Sequence, residues 1–202
     1  TRERVGACAL LLLVWAGAGA LWGRVWTAPS GAPLGVALVQ GAIPQDLKWQ
    51  ADNREATLAL YERLTTPALG RPLIVWPEAA LPLLEHEARE YLGRMWGRTR
   101  ASGSDLVLGL LRYDFESRKY YNGMVALSDD ATWYYKRRLV PFGEFFPVPE
   151  TVRGWMRLMS LPYVDMTAGP DGQAPLRAAG QLLGATICYE DAYGAEQLAV
   201  LG

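Results

Sequence analysis

The stretch Ile74-Val75-Trp76-Pro77-Glu78 is an apolar run that stops at a proline and a carboxylate. Its β-branched and aromatic residues are typical of a buried strand, and the strand ends at Pro77 because proline cannot donate to the strand ladder. Glu78 then projects from the carboxyl end of the strand, where open α/β sheets place their functional sites. The alternative is a surface glutamate in an ordinary strand-end turn.

Apolar runs of strand length recur along the chain and alternate with helical patterns. They cover residues 35–40, 73–76, 106–111, 121–127, 132–135 and 182–187. Residues at helical spacing lie between the first two runs (Thr57, Leu60, Tyr61 and Leu64) and between the next two (Leu84, Ala88, Tyr91 and Met95). This alternation predicts an α/β sheet covered by helices.

A second segment, residues 134–144, runs from an apolar strand into Lys136, two arginines and a Pro-Gly loop that ends in Glu144. A lysine at this position could stabilise a developing oxyanion. The alternative is a solvated basic cluster at a strand end. Glu144 could position the lysine, or it could cap a turn.

The third segment, Gly184-Ala185-Thr186-Ile187-Cys188-Tyr189-Glu190, places a thiol directly after an apolar run. A sharp turn from strand to helix exposes a nucleophile in this way, although a free cysteine is also a common small buried residue. A reactive thiol needs a base, a cation that lowers its pKa, and donors for the tetrahedral oxyanion. Glu78, Lys136 and the Tyr189 N–H would supply these three functions.

The composition limits the kinds of functional site that the chain can form. The chain has 202 residues, a net charge of −1, two cysteines and one histidine, His86. The near-neutral charge, without a basic face, argues against nucleic acid as a partner. A single histidine disfavours a His-relay hydrolase or a multi-histidine metal centre, and two cysteines are too few for a disulfide framework or a multi-cysteine zinc site. We therefore expect neither a metal nor a cofactor.

The N-terminal part is a long apolar segment. Residues 5–22 carry no charged side chain and are flanked by Arg2, Arg4 and Arg24. We interpret residues 1–26 as a transmembrane helix with its flanks, with the N-terminal flank in the cytoplasm; a signal peptide and a buried core helix are the alternatives. Residues 27–33, rich in Ala, Pro, Ser and Gly, form a linker to a domain at 34–202.

The three segments together resemble, in order and approximate spacing, the Glu-Lys-Cys triad of the carbon-nitrogen hydrolase (nitrilase) superfamily. The resemblance covers residues 34–202. It implies a nitrilase-like α-β-β-α sandwich in which Glu78, Lys136 and Cys188 are catalytic. Because that fold continues through further strands after the nucleophile, we expect this domain to be incomplete at its C-terminal side and not to fold stably alone.

Within the superfamily, three stretches are similar to the apolipoprotein N-acyltransferase family: residues 39–49, which end in Trp49, residues 139–144, and residues 188–190. The resemblance implies a phospholipid acyl donor, a diacylated apolipoprotein acceptor and a Cys188 thioester. It also implies that Glu144 and Glu190 orient charged groups, that Trp49 lines the substrate path and that the Tyr189 N–H binds the oxyanion.

The same resemblance implies a location in the bacterial cytoplasmic (inner) membrane, with several membrane helices in the full protein and the catalytic domain on the periplasmic face. The apolar residues of the irregular stretch 139–175 suit contact with acyl chains, or a loop folded back on its own core: Phe142, Phe145, Phe146, Trp155, Met156, Leu158, Met159 and Leu161. Two alternatives remain: an exported amidase that hydrolyses small amides or nitriles with the same triad, and a membrane-anchored binding module without turnover.

Overall fold

The computed structural model describes residues 2–29, 31–149, 151–152 and 165–194, and the chain divides into two units, Thr1–Pro33 and Leu34–Gly202. The first unit contains helix α1 (Arg2–Trp22), which has 21 residues and no buried side chain. An 18-residue window of this helix has a mean hydropathy of 2.0. By length and composition α1 is sufficient to cross a membrane, and a signal sequence would meet the same criteria.

The second unit is built on a five-stranded sheet in the order β1-β2-β3-β4-β5. The strands are β1 (Val36–Leu38), β2 (Leu73–Val75), β3 (Asp105–Asp114), β4 (Lys119–Leu127) and β5 (Ala131–Tyr135). The first three strands are parallel, and β3, β4 and β5 are antiparallel neighbours. The predicted α/β organisation is thus confirmed as a mixed sheet, in which the parallel strands need the intervening helices as crossovers.

Two longer helices provide these crossovers. Helix α3 (Arg54–Thr65) follows the short helix α2 (Gln45–Lys48), and α4 (Arg89–Ala101) precedes β3. The second predicted helical pattern began too early, at Leu84. There the chain runs beside β3, since the Glu85 N–H donates to the Leu111 carbonyl over 2.8 Å.

Apolar side chains cover both faces of the sheet. On one face, residues of β2 and β3 pack against α3 and α4 in a cluster that includes Tyr61, Ile74, Trp76, Tyr91, Met95, Leu106, Leu108 and Leu110. On the other face, alternate residues of the same strands pack against the chain's later part: Leu73, Val107, Ala126, Tyr134, Leu176, Ala178 and Ile187. This alternation follows from the two-residue period of a strand.

The predicted strand 182–187 is largely wrong. Only β7 (Gln181–Leu183) is a strand, and it pairs with β6 (Leu176–Ala178) in a separate two-stranded antiparallel sheet. Residues 184–187 belong to no strand, because the Ile187 N–H donates to the Glu190 carboxylate (2.9 Å) and not to a neighbouring strand. Ile187 is nevertheless buried, which explains the apolar pattern.

Gly109 of β3 allows the chain beyond β2 to approach closely. A Cβ atom there would lie 2.5 Å from the Glu78 Cα and 2.7 Å from the Ala79 nitrogen. Two backbone hydrogen bonds hold the approach: the Gly109 N–H donates to the Pro77 carbonyl (3.2 Å) and the Ala80 N–H to the Gly109 carbonyl (2.9 Å). The position of Glu78 therefore depends on the absence of a side chain on its neighbouring strand.

We expect Gly109→Ala to destabilise the full-length protein by about 1–3 kcal/mol, because the added methyl group meets rigid backbone. Gly93→Ala is the matched control, since Gly93 lies in α4 and a Cβ there meets nothing within 4 Å. The control should be neutral or stabilised by up to about 1 kcal/mol. Unfolding followed by tryptophan fluorescence measures the stability of both variants, and equal stability of the two would contradict the steric explanation.

Candidate active site

Lys136 follows β5 and is almost completely buried, with 1% of its side chain exposed. Its ammonium Nζ lies 2.7 Å from Oε1 of Glu144 and 3.6 Å from Oε1 of Glu78. Its backbone is fixed as well, since its N–H donates to the Asn122 carbonyl and its carbonyl accepts from Gly169, both over 2.8 Å. A buried ammonium requires such partners, because desolvation without compensation costs several kcal/mol.

The charge state of Lys136 follows from these surroundings. Burial lowers the pKa of Lys136, but the hydrogen bond to Glu144 and the negative charges of Glu78, Glu144 and Cys188 raise it, and the net result is a raised pKa. The side chain is therefore cationic at neutral pH. A fixed cation in a desolvated position is suited to stabilising negative charge that develops beside it.

Glu144 closes the loop that follows Lys136. Its Oε2 accepts a hydrogen bond from the Val140 N–H (2.8 Å), while its Oε1 accepts the one from Lys136. Its carbonyl accepts from the Met166 N–H over 2.8 Å. The sequence left two roles open for Glu144, positioning the lysine or capping a turn. In the structure its carboxylate does both, since it pairs with Lys136 and accepts a hydrogen bond within its own turn.

Asn122 of β4 connects the two carboxylates, and the sequence analysis missed it. Its Nδ2 donates to Oε1 of Glu78 (2.6 Å) and lies 3.3 Å from Oε1 of Glu144. The opposite amide orientation would direct the amide oxygen at two carboxylates, so the hydrogen bonds determine the assignment. The Oδ1 atom is buried and has no hydrogen-bond partner among the described residues. The available signal was a polar residue inside the otherwise apolar run 121–127.

Cys188 is exposed and begins a short 3₁₀ helix, Cys188–Ala192. Its φ of 52° is in the left-handed region, which is costly for a residue other than glycine and recurs at functional sites. The Tyr189 N–H belongs to the first turn of this helix, where backbone donors lack intrahelical partners.

Glu190 is a buried carboxylate, 1% exposed, that joins the Cys188 turn to the end of β5. Its Oε1 accepts from the Tyr134 hydroxyl (2.9 Å) and the Arg137 N–H (2.7 Å), and its Oε2 accepts from the Ile187 N–H (2.9 Å). Tyr134, which the sequence analysis did not single out, is buried beneath it. Glu190 thus fixes the backbone directly after Lys136 and directly before Cys188.

A cleft of about 480 Å³ contains part of this arrangement. It is lined by Lys48, Trp49, Glu78, Ala79, Leu111, Asn122, Gly143, Glu144 and Met166. Tyr189 lines a different cavity of about 420 Å³, together with Arg137, Arg138, Leu139, Pro141, Phe145, Ala168 and Tyr193. The structure therefore brings Trp49, Glu78 and Glu144 into one cleft and leaves Tyr189 in a neighbouring cavity.

Only some of the apolar residues that were predicted to contact acyl chains lie within the described ranges. Phe142 is 68% exposed and contacts Phe146 edge to face, with ring centroids 6.1 Å apart. Phe145 is half-buried. The remaining candidates for acyl-chain contact lie outside the described residues: Trp155, Met156, Leu158, Met159 and Leu161.

The sequence of the chain matches a known protein family. The family model described as carbon-nitrogen hydrolase matches residues 35–200. The chain belongs to the carbon-nitrogen hydrolase family. Among curated members, it is 42% identical over 193 residues to an apolipoprotein N-acyltransferase from Azotobacter vinelandii, covering 94% of this chain and 37% of that protein. It is also 42% identical over 201 residues to one from Chromobacterium violaceum, covering 96% of this chain and 38% of that protein.

The chain therefore spans a little more than a third of the length of these two carbon-nitrogen hydrolase relatives. Among solved structures, the carbon-nitrogen hydrolase from Helicobacter pylori G27 matches with a TM-score of 0.49 and 17% identity. That match covers 81% of this chain and 54% of the other.

We expect Glu190→Gln to lower the free energy of unfolding of the full-length protein by about 1–3 kcal/mol, because an amide NH₂ would face backbone N–H donors in a buried position. Glu116→Gln is the control, since Glu116 is exposed on the β3–β4 hairpin. Chemical denaturation in detergent compares the two variants with the native protein. A Glu190→Gln variant as stable as the control would show that the carboxylate does not hold the turn.

Proposed function

We propose that this chain forms the acyl-transfer domain of an apolipoprotein N-acyltransferase. The observation that carries the proposal is the Lys136 ammonium, which lies buried between the carboxylates of Glu78 and Glu144, while the Glu190 carboxylate joins the turn that bears Cys188 to the backbone directly after Lys136. The named relatives, at about two-fifths identity over most of the chain, support lipoprotein acylation over hydrolysis of small amides.

In the first half-reaction Glu78 takes the proton of the Cys188 thiol, and the sulfur attacks an ester carbonyl carbon of a phospholipid. Lys136 and the Tyr189 N–H stabilise the tetrahedral oxyanion. The bond between that carbon and the glycerol oxygen then breaks. The leaving oxygen takes the proton from Glu78, so a lysophospholipid departs and a Cys188 thioester remains.

In the second half-reaction the acceptor is the N-terminal amine of a diacylglyceryl-cysteine lipoprotein. The amine nitrogen attacks the thioester carbon and gives a proton to Glu78, and the same two donors hold the oxyanion. The carbon–sulfur bond breaks, the thiolate of Cys188 recovers the proton, and the product is an amide. All steps use side chains and one backbone N–H.

The remaining predicted residues, together with Asn122, which was not predicted, support these steps. Glu144 holds the Lys136 ammonium in place, and Glu190 holds the turn that carries Cys188. Trp49, which is 48% exposed at the rim of the cleft, lines the path of the substrate. Asn122 positions the Glu78 carboxylate through a hydrogen bond of 2.6 Å.

We further propose that residues 1–26 are a membrane helix with its flanks, that residues 27–33 are a linker and that residues 34–202 form a nitrilase-like catalytic domain. The apolar helix α1 supports this arrangement by its length and composition. The full protein would cross the bacterial inner membrane several times and hold the catalytic domain on the periplasmic face. There the domain meets both the phospholipid donor and the exported lipoprotein.

We expect Cys188→Ala in the full-length protein to reduce acyl transfer from phospholipid to a diacylated lipopeptide by at least about a thousandfold, because no thioester can form. Cys8→Ala is the matched control, since Cys8 is the chain's other cysteine and lies on α1. A labelled acyl chain followed into the peptide amide measures transfer. Equal loss in both variants would argue against Cys188 as the nucleophile, and hydrolysis of small amides without transfer would favour the amidase alternative.

A further inference from the structure

The cleft beside Glu78 contains a second lysine, Lys48, that the proposed mechanism does not use. Its side chain is half-buried, and its ammonium lies 5.8 Å from the centroid of the Trp49 ring. Within the described ranges, no hydrogen bond or ion pair of 4.0 Å or less engages the Lys48 ammonium. A lysine held at the wall of a cleft without a direct counter-ion is available to a ligand.

The backbone that carries Lys48 is fixed by local hydrogen bonds. Its own N–H donates to the Pro44 carbonyl over 3.1 Å. Asn53 Nδ2 donates to the Leu47 carbonyl (3.1 Å), and Gln50 Nε2 donates to the Asp46 carbonyl (3.0 Å). The ammonium therefore extends from a defined turn into the cleft.

The charges around Lys48 favour an anion as its ligand. Burial lowers the pKa of Lys48, and the charge of Glu78 only partly offsets this effect. Glu144 is already bonded to Lys136 and to the Val140 N–H. The desolvated ammonium is therefore only partly compensated by its surroundings. An anion bound beside it would supply the missing compensation and would be stabilised by the ammonium.

The proposed acyl donor carries such an anion. The phosphodiester of a phospholipid is separated from the ester carbonyl only by the glycerol carbons and their oxygens. A carbonyl held beside Glu78 would therefore keep its phosphate close to the cleft that Glu78 and Lys48 both line. The lipoprotein acceptor has an amine, which Lys48 repels when that amine is protonated, so the phosphate is the better match.

We propose that Lys48 binds the phosphodiester of the acyl donor and thereby selects phosphate-bearing lipids over neutral esters. This inference rests on the proposed acyltransferase function. It assigns to Lys48 a role in donor binding, separate from proton transfer by Glu78 and from oxyanion binding by Lys136.

The test compares two donors with identical acyl chains, phosphatidylethanolamine and diacylglycerol, in detergent micelles with the full-length protein. Thioester formation on Cys188 is measured for the native protein, Lys48→Gln, Lys48→Arg and the control Lys119→Gln, whose exposed lysine begins β4. We expect Lys48→Gln to lower kcat/KM for phosphatidylethanolamine about ten- to a hundredfold, mainly through KM, as for the loss of a charged hydrogen bond.

With diacylglycerol, Lys48→Gln should be within about twofold of the native protein, because no phosphate is present to be lost. Lys48→Arg should retain most of the phospholipid activity, and Lys119→Gln all of it. An equal loss with both donors, accompanied by a shifted pH profile, would overturn the inference and assign Lys48 to tuning Glu78. No loss with either donor would also overturn it. Failure of the native protein to form a thioester from either donor would instead reject the proposed function itself.

Discussion

The arrangement at this sheet edge depends on the burial of one ammonium group. Lys136 is 1% exposed, and an ammonium at that depth is tolerated only beside carboxylates. Glu144 meets this requirement from the loop that follows, and Glu78 meets it from the end of a parallel strand 58 positions earlier in the sequence. Removing Glu144 would leave the ammonium with only the 3.6 Å contact to Glu78, and removing Glu78 would leave it with Glu144 alone, so the pairing that stabilises the fold also sets the charge beside the cleft.

A second buried ion extends this arrangement to the thiol. Glu190 lies two positions after Cys188 and is 1% exposed, and its oxygens accept hydrogen bonds from the backbone that follows β5. The turn bearing Cys188 is therefore tied to the segment bearing Lys136, with Tyr134 buried beneath both. This connection holds Cys188 at a positive φ, a conformation that a free loop would relax.

Much of the fold around Glu78 and Lys136 could be predicted from the sequence. The apolar runs before Glu78 and Lys136 predicted two strands, and the structure contains them as β2 and β5. Pro77 indicated the end of the first strand because proline has no N–H to donate. Glu78 and Lys136 were therefore expected at strand ends. The apolar run before Cys188 led to a wrong prediction of a strand at residues 182–187. Ile187 is buried because it packs beneath a turn, and it is not paired with a neighbouring strand. Asn122, on β4, and Lys48, at the end of α2, were not found, since their importance lies in the side chains with which they line the cleft, which one sequence without its fold does not reveal.

If the proposed function is correct, the sulfur of Cys188 carries the acyl chain as a thioester between donor and acceptor. This can be measured as the mass of the full-length protein after incubation with phospholipid in the absence of acceptor, followed by proteolysis to locate any adduct. We expect one acyl chain on the peptide that contains Cys188, released by hydroxylamine as for a thioester. An adduct on another peptide, or none under conditions in which lysophospholipid is produced, would contradict it.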